Sequence, residues 1–180
     1  MDGLIIRLLD DKTGAWWFWR IFEPIRRDLD RMFWCLNGQP WMGWPEDFGT
    51  ADAEPFENAR GSCIHLWRPG TLGRFAEEFG EEFVELWAVE PTRDDPARLA
   101  SEYAARDGSV DVIRQHARIW LLYTDSTCWE IYARKPDLLN RVRAGIDGKS
   151  WAKAYPSHSE RRRQSFGDAG LSDVWQALGD

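Results

Sequence analysis

Apolar and polar positions along the 180-residue chain change period several times, and each change marks an element. Leu4 to Asp10 and Ala15 to Phe22 are apolar runs around Asp11-Lys12-Thr13-Gly14. Asp opening a turn and Gly closing it predict a β-hairpin there. Glu23-Pro24 then predicts a helix start, since proline at the first helical position forfeits no hydrogen bond. Ile25, Leu29, Met32, Phe33 and Leu36 follow at helical spacing, Arg26, Arg27, Asp28, Asp30 and Arg31 take the other face, and Asn37-Gly38 ends the element.

From Gln39 to Gly61 the pattern dissolves. Pro40, Gly43, Pro45, Gly49 and Pro55 punctuate it, with Trp41, Met42, Trp44, Phe48 and Phe56 interleaved. A long aromatic-rich loop is expected, and loops of that length are often functional. Ser62 to Arg68 reads as a strand with Cys63, His65 and Trp67 on one side and Ile64 and Leu66 on the other. Thr71 is expected to cap a short helix reaching Phe79, and Phe83 to Glu90 reads as another strand, ended by Pro91.

Asp94-Asp95-Pro96 predicts a helix to about Ala105, and Ser109 a second to about His116. Arg118 to Tyr123 and Thr127 to Ala133 are β-branched and aromatic, and Thr124-Asp125-Ser126 between them predicts the clearest hairpin of the chain. Lys135-Pro136-Asp137 opens a helix that turns Leu138, Leu139, Val142 and Ile146 inward. After Gly148 the chain is polar, with Ser157, His158, Ser159 and Arg161-Arg162-Arg163, until a weak helical pattern at Leu171, Val174, Trp175 and Leu178. The mixture predicts one α+β domain: a mainly antiparallel sheet of about five or six strands, two hairpins among them, with helices packed on it. Residues 1–148 are expected to form the core, with the loop 39–61. Residues 149–180 are expected to be a polar, partly helical extension, packed on the core or flexible beside it.

Composition then narrows the function classes. Hydrophobic residues at 43% and charged residues at 29% fit a folded domain and exclude a disordered chain. No run approaches the ~18 apolar residues of a membrane span. Two acids close the first apolar stretch, so no export signal is expected there, and three scattered cysteines suit a reducing compartment. A cytoplasmic protein is expected.

Charge is uneven. The net charge is −7, yet Glu46 to Asp95 alone holds thirteen acids against four bases, a balance of −9. Such a field repels phosphate and attracts basic partners, so direct nucleic-acid binding is not expected. Glu77, Glu78, Glu81 and Glu82 would form like-charge i,i+4 pairs on a helix, either as a solvated face or as a patch held for a basic partner. The twelve tryptophans divide similarly. Trp67, Trp87, Trp120 and Trp129 fall in predicted strands and are expected in the core; Trp41 and Trp44 lie on the long loop and either pack there or anchor a partner.

Catalytic and metal signatures are sparse. His65, His116 and His158 fit no metal-ligand spacing, Gly70-Thr71-Leu72-Gly73 is neither a phosphate loop nor a dinucleotide fingerprint, and no nucleophile elbow occurs. Cys63 and His65 could form a thiol–imidazole pair if they share a strand face, or they simply line a half-buried sheet.

The segment Ile119-Trp120-Leu121-Leu122-Tyr123, Cys128-Trp129-Glu130-Ile131-Tyr132-Ala133 and Pro136-Asp137-Leu138-Leu139 resembles small bacterial immunity proteins. These are cytoplasmic antitoxins that neutralise the toxins of contact-dependent and secretion-delivered systems. The resemblance covers about thirty residues. It implies a stoichiometric inhibitor of one cognate toxin, often through an acidic face when the toxin is a nuclease. With the charge pattern, a basic nuclease-like toxin is expected, and no cofactor, metal or membrane partner. The residues expected to carry the contact are Trp41, Trp44, Asp47, Asp52, Glu54, Glu77, Glu78, Glu81 and Glu82. The alternatives are a small enzyme using Cys63 and His65 or a carboxylate cluster, and an adaptor that reads a peptide or small ligand.

Overall fold

The structure, a computed structural model, describes residues 1–9, 14–38, 53–57, 63–73, 83–90, 95–106, 108–124 and 128–158. Its elements run β1 (Asp2–Leu8), α1 (Gly14–Phe22), a 3-10 turn (Glu23–Ile25), α2 (Arg26–Leu29), β2 (Phe33–Gly38), β3 (Ala53–Glu57), β4 (Cys63–Trp67), β5 (Phe83–Val89), α3 (Pro96–Ala105), α4 (Val110–His116), β6 (Ile119–Thr124), β7 (Cys128–Ala133), α5 (Pro136–Ile146) and β8 (Ala152–His158). The eight strands form one antiparallel sheet in the order β3-β4-β2-β5-β6-β7-β1-β8. The α+β class is as expected; the sheet has eight strands, more than the five or six anticipated.

Helices cover both sides of the sheet. On the front face Leu4, Ile6, Trp34, Leu36, Leu86, Leu121, Trp129 and Ile131 pack against α1, α2 and α5. On the back face Cys35, Ile64, Leu66, Trp87, Trp120, Leu122 and Tyr132 pack against α3 and α4. Strands in the middle of the sheet are therefore buried on both faces, which is why β5, β6 and β7 read as nearly continuous apolar runs.

Two elements differ from the sequence reading. The second arm of the predicted N-terminal hairpin is helix α1. Trp17, Phe18, Ile21 and Phe22 are all buried at i, i+1, i+4 and i+5, a helical stripe that inserts into the front face. Only the first arm, β1, is a strand, and it pairs with β7 and β8. The predicted helix from Glu23 stops at Leu29, and Phe33–Gly38 is β2, between β4 and β5. Trp34 and Leu36 face the front core and Cys35 the back, so a one-sided helix would leave one set unburied. The Trp34 indole N–H donates to the Leu29 carbonyl at 3.0 Å, satisfying an acceptor at the helix end.

The expected loop 39–61 contains edge strand β3, with Pro55 at its centre, where a missing amide donor is tolerated. Residues 152–158 of the expected polar extension form the other terminal strand, β8, with Pro156 in it. Helices α3 and α4 start as their capping residues predict, and α5 starts at Pro136. The Asp95 carboxylate accepts from the Arg98 amide at 3.2 Å, and the Ser109 hydroxyl from the Asp111 amide at 3.3 Å. Arg134 donates to the carbonyls of Ala117 (2.8 Å) and Arg114, tying the end of α4 to β7. On the front side Arg141 of α5 pairs with Asp28 of α2 at 2.8 Å and donates to the Pro24 carbonyl.

Candidate functional site

The polar chemistry of the interior lies on the back face. Register places Glu85 of β5, Leu122 of β6, Glu130 of β7, Ile5 of β1 and Tyr155 of β8 in one row across the sheet. One strand, β6, separates the glutamates, so their Cα atoms stand about 9–10 Å apart, two ordinary strand spacings. Glu85 is 7% exposed and Glu130 3%. A carboxylate so far from water needs donors on its oxygens.

Glu85 has a donor on each oxygen and Glu130 one on Oε2. The Tyr103 hydroxyl of α3 donates to Glu85 Oε2 at 2.8 Å, and the Trp120 indole N–H donates to Oε1 at 3.1 Å. Tyr103 also packs edge-on against Trp87, with ring centroids 5.2 Å apart. Helix α3 is thus held both by apolar contact and by a hydrogen bond to a buried acid. At Glu130 the donor is the Tyr132 hydroxyl, 2.5 Å from Oε2, and the same hydroxyl oxygen lies 3.2 Å from Ser157 Oγ on β8.

Tyr132 reaches β8 by lying across β1. Tyr132, Gly3 and Ser157 form one register row. A Cβ on Gly3 would stand 2.3 Å from Tyr132 Cδ1 and 2.6 Å from Cε1, so only glycine leaves the ring its lane. Trp120 closes the other side of that ring at 5.2 Å between centroids. Tyr132 is therefore fixed by packing, and its hydroxyl joins a buried carboxylate to a half-buried serine.

The sequence-predicted contact residues fare differently. Glu54 lies on edge strand β3 and is exposed. Trp41, Trp44, Asp47, Asp52, Glu77, Glu78, Glu81 and Glu82 lie outside the described residues. Strand β4 begins at Cys63 and carries His65 at its centre, opposite Leu36 of β2 and Pro55 of β3. His65 is half-buried, and loss of solvation lowers its pKa below the usual 6.5. Cys35, fully buried, has its thiol pushed well up by burial and stays protonated. Among the described residues no group of three or more His, Cys, Asp or Glu could hold a metal ion, and no helix is long and apolar enough to cross a membrane.

Sequence reasoning counted Glu85 only as one acid of the middle segment and did not single out Glu130 as a site residue. A signal existed: each glutamate stands alone in an apolar strand with an aromatic two residues on, Trp87 or Tyr132, hence on the same face. Comparison with protein-family models, with curated proteins and with solved structures found no match.

Proposed function

We propose that the protein is a binding inhibitor of the bacterial immunity type, which occludes a basic toxin domain with the acidic half of its sheet. The observation that carries this reading is the strand order. β3, β4 and β5 all come from the acid-rich stretch Glu46 to Asp95, and with β2 they occupy four consecutive places at one end of the sheet. Strand order thus groups the strands of a stretch with net charge −9 in one half of the molecule, at whose outer edge Glu54 is exposed. The opposite end is basic: from Arg134 to Lys153, through α5 into β8, six bases face two acids. A molecule polarised in this way orients an oppositely charged partner before contact.

On this reading Glu54 and the acids Asp47, Asp52, Glu77, Glu78, Glu81 and Glu82 pair with the toxin's basic cleft, and Trp41 and Trp44 supply the apolar anchor. The test is affinity capture of the full chain from its native cells at low and high salt, followed by association kinetics with the purified partner. A stoichiometric basic partner is expected, released by salt, with an association rate lowered at least tenfold by combined Glu54→Lys, Glu77→Lys and Glu81→Lys changes. A partner whose association rate ignores both salt and these reversals would overturn the electrostatic mechanism.

A further inference from the structure

We propose that Ser157 is a nucleophilic serine, activated through Tyr132 by Glu130, that takes an acyl group from a small ester. This does not rest on the inhibitor reading, since the site lies at the basic end of the sheet.

The argument begins with direction. A phenol carries one proton, and the Tyr132 proton is given to Glu130 Oε2 at 2.5 Å. At the 3.2 Å contact, therefore, Ser157 Oγ donates and Tyr132 Oη accepts. The three groups form a one-way chain, serine to phenol to carboxylate, running from a half-buried position on β8 to a group that is 3% exposed. That is the arrangement of a nucleophile, a proton carrier and a final base, each within hydrogen-bond reach of the next. The carrier cannot drift, because Gly3 and Trp120 hold its ring, so the chain is set before any substrate arrives.

The step balances as follows. Ser157 Oγ bonds to the ester carbonyl carbon; its proton passes to Tyr132 Oη as the Tyr132 proton passes to Glu130. The ester C–O bond breaks and the alcohol or phenol departs, recovering the proton from Glu130 through the same chain or, as a phenolate, leaving it to solvent. Water then attacks the acyl-serine, a carboxylic acid is released, and Ser157 regains a proton.

The test uses the full-length chain and p-nitrophenyl acetate, reading nitrophenolate release and mapping the acetyl group by mass spectrometry. The expected result is a burst of about one nitrophenolate per chain with acetyl on Ser157, lost in Ser157→Ala. Tyr132→Phe and Glu130→Gln, which keep the side-chain volumes, should slow acylation at least a hundredfold, the scale of a lost general base. Circular dichroism confirms that each variant is folded. Should either fail to fold, adduct mapping on the wild type and Ser157→Ala still decide. Acetyl found only on lysines, or folded Tyr132→Phe acylating at the wild-type rate, would overturn the proposal and leave the chain as a structural tie.

Discussion

The two faces of the sheet solve the same burial problem with different chemistry. On the front, α1 buries Trp17, Phe18, Ile21 and Phe22 in the core, and Trp129 lies 5.3 Å from both phenylalanine rings and 4.8 Å from Tyr123. Trp17 stacks on Trp151 at 4.4 Å, closing the front face near the start of β8. On the back, the helix side is tied through Glu85 and the β7–β1–β8 side through Glu130, with tyrosine and tryptophan donors. Apolar contact is non-directional, so the front face gains from area and shape. A buried carboxylate is satisfied only in one arrangement, so the back face gains order from register. Slipping β7 by one residue would carry Glu130 into the front core and Trp129 to the back.

Substitutions at the centres of the two faces should separate these modes. Trp129→Ala removes the hub of the front aromatic cluster and should cost about 4–5 kcal/mol, the upper range for truncating a core aromatic. Gly3→Ala adds a single methyl on the back and should cost about 3 kcal/mol, far beyond a surface Gly→Ala change. It overpacks Tyr132 and pulls a donor from Glu130. Urea unfolding measures both. A Gly3→Ala cost under about 1 kcal/mol would mean that the Tyr132 ring moves freely and that the back face is no more directional than the front.

How far the sequence foretold this architecture depends on the element. β4, β5, α3, α4, the β6–β7 hairpin and α5 follow from local period and capping residues, because in those segments propensity and tertiary burial agree. α1 did not, since Trp16, Trp17, Phe18 and Trp19 carry strand propensity while the spacing of the residues that become buried is helical. β2 did not, because Phe33 and Leu36 extend the helical spacing of Ile25, Leu29 and Met32. What decides there is burial on both sides, visible only once β4 and β5 are its neighbours. The edge strands β3 and β8 were hidden by Pro55 and Pro156, whose tolerance is a property of the edge. At the site, Glu85 and Glu130 were legible as lone acids in apolar strands. Their union with Tyr103, Trp120 and Ser157 spans α3, β6 and β8 and needs the sheet order.

A finer comparison lies within the back face. Trp87 and Trp120 are direct cross-strand partners, both fully buried, yet only Trp120 gives its indole N–H to a carboxylate. Among the described residues Trp87 Nε1 has no hydrogen-bond partner. Changing either to Phe removes the same atoms, so the volume terms are of one kind. Trp120→Phe also leaves Glu85 short of a donor, whereas Trp87→Phe removes a donor that was already unsatisfied. Trp120→Phe should therefore be the more destabilising by about 1–3 kcal/mol. Equal losses in chemical denaturation would show that the Trp120–Glu85 bond contributes nothing net.

The smallest expected effect comes from a titratable group on the front side. His65 stands opposite Leu36 and Pro55, half-buried, and its pKa is lowered from 6.5 by loss of solvation. Above the unfolded-state value the imidazole is neutral in both states and costs nothing. As pH falls below 6.5, the unfolded chain takes up a proton before the folded one does, so stability drops until the folded-state pKa is reached. His65→Gln removes that linkage and should flatten the decline just below pH 6.5. Urea midpoints of the two proteins at closely spaced pH values measure the difference. Parallel slopes through that interval would mean that His65 is solvated as well in the fold as out of it.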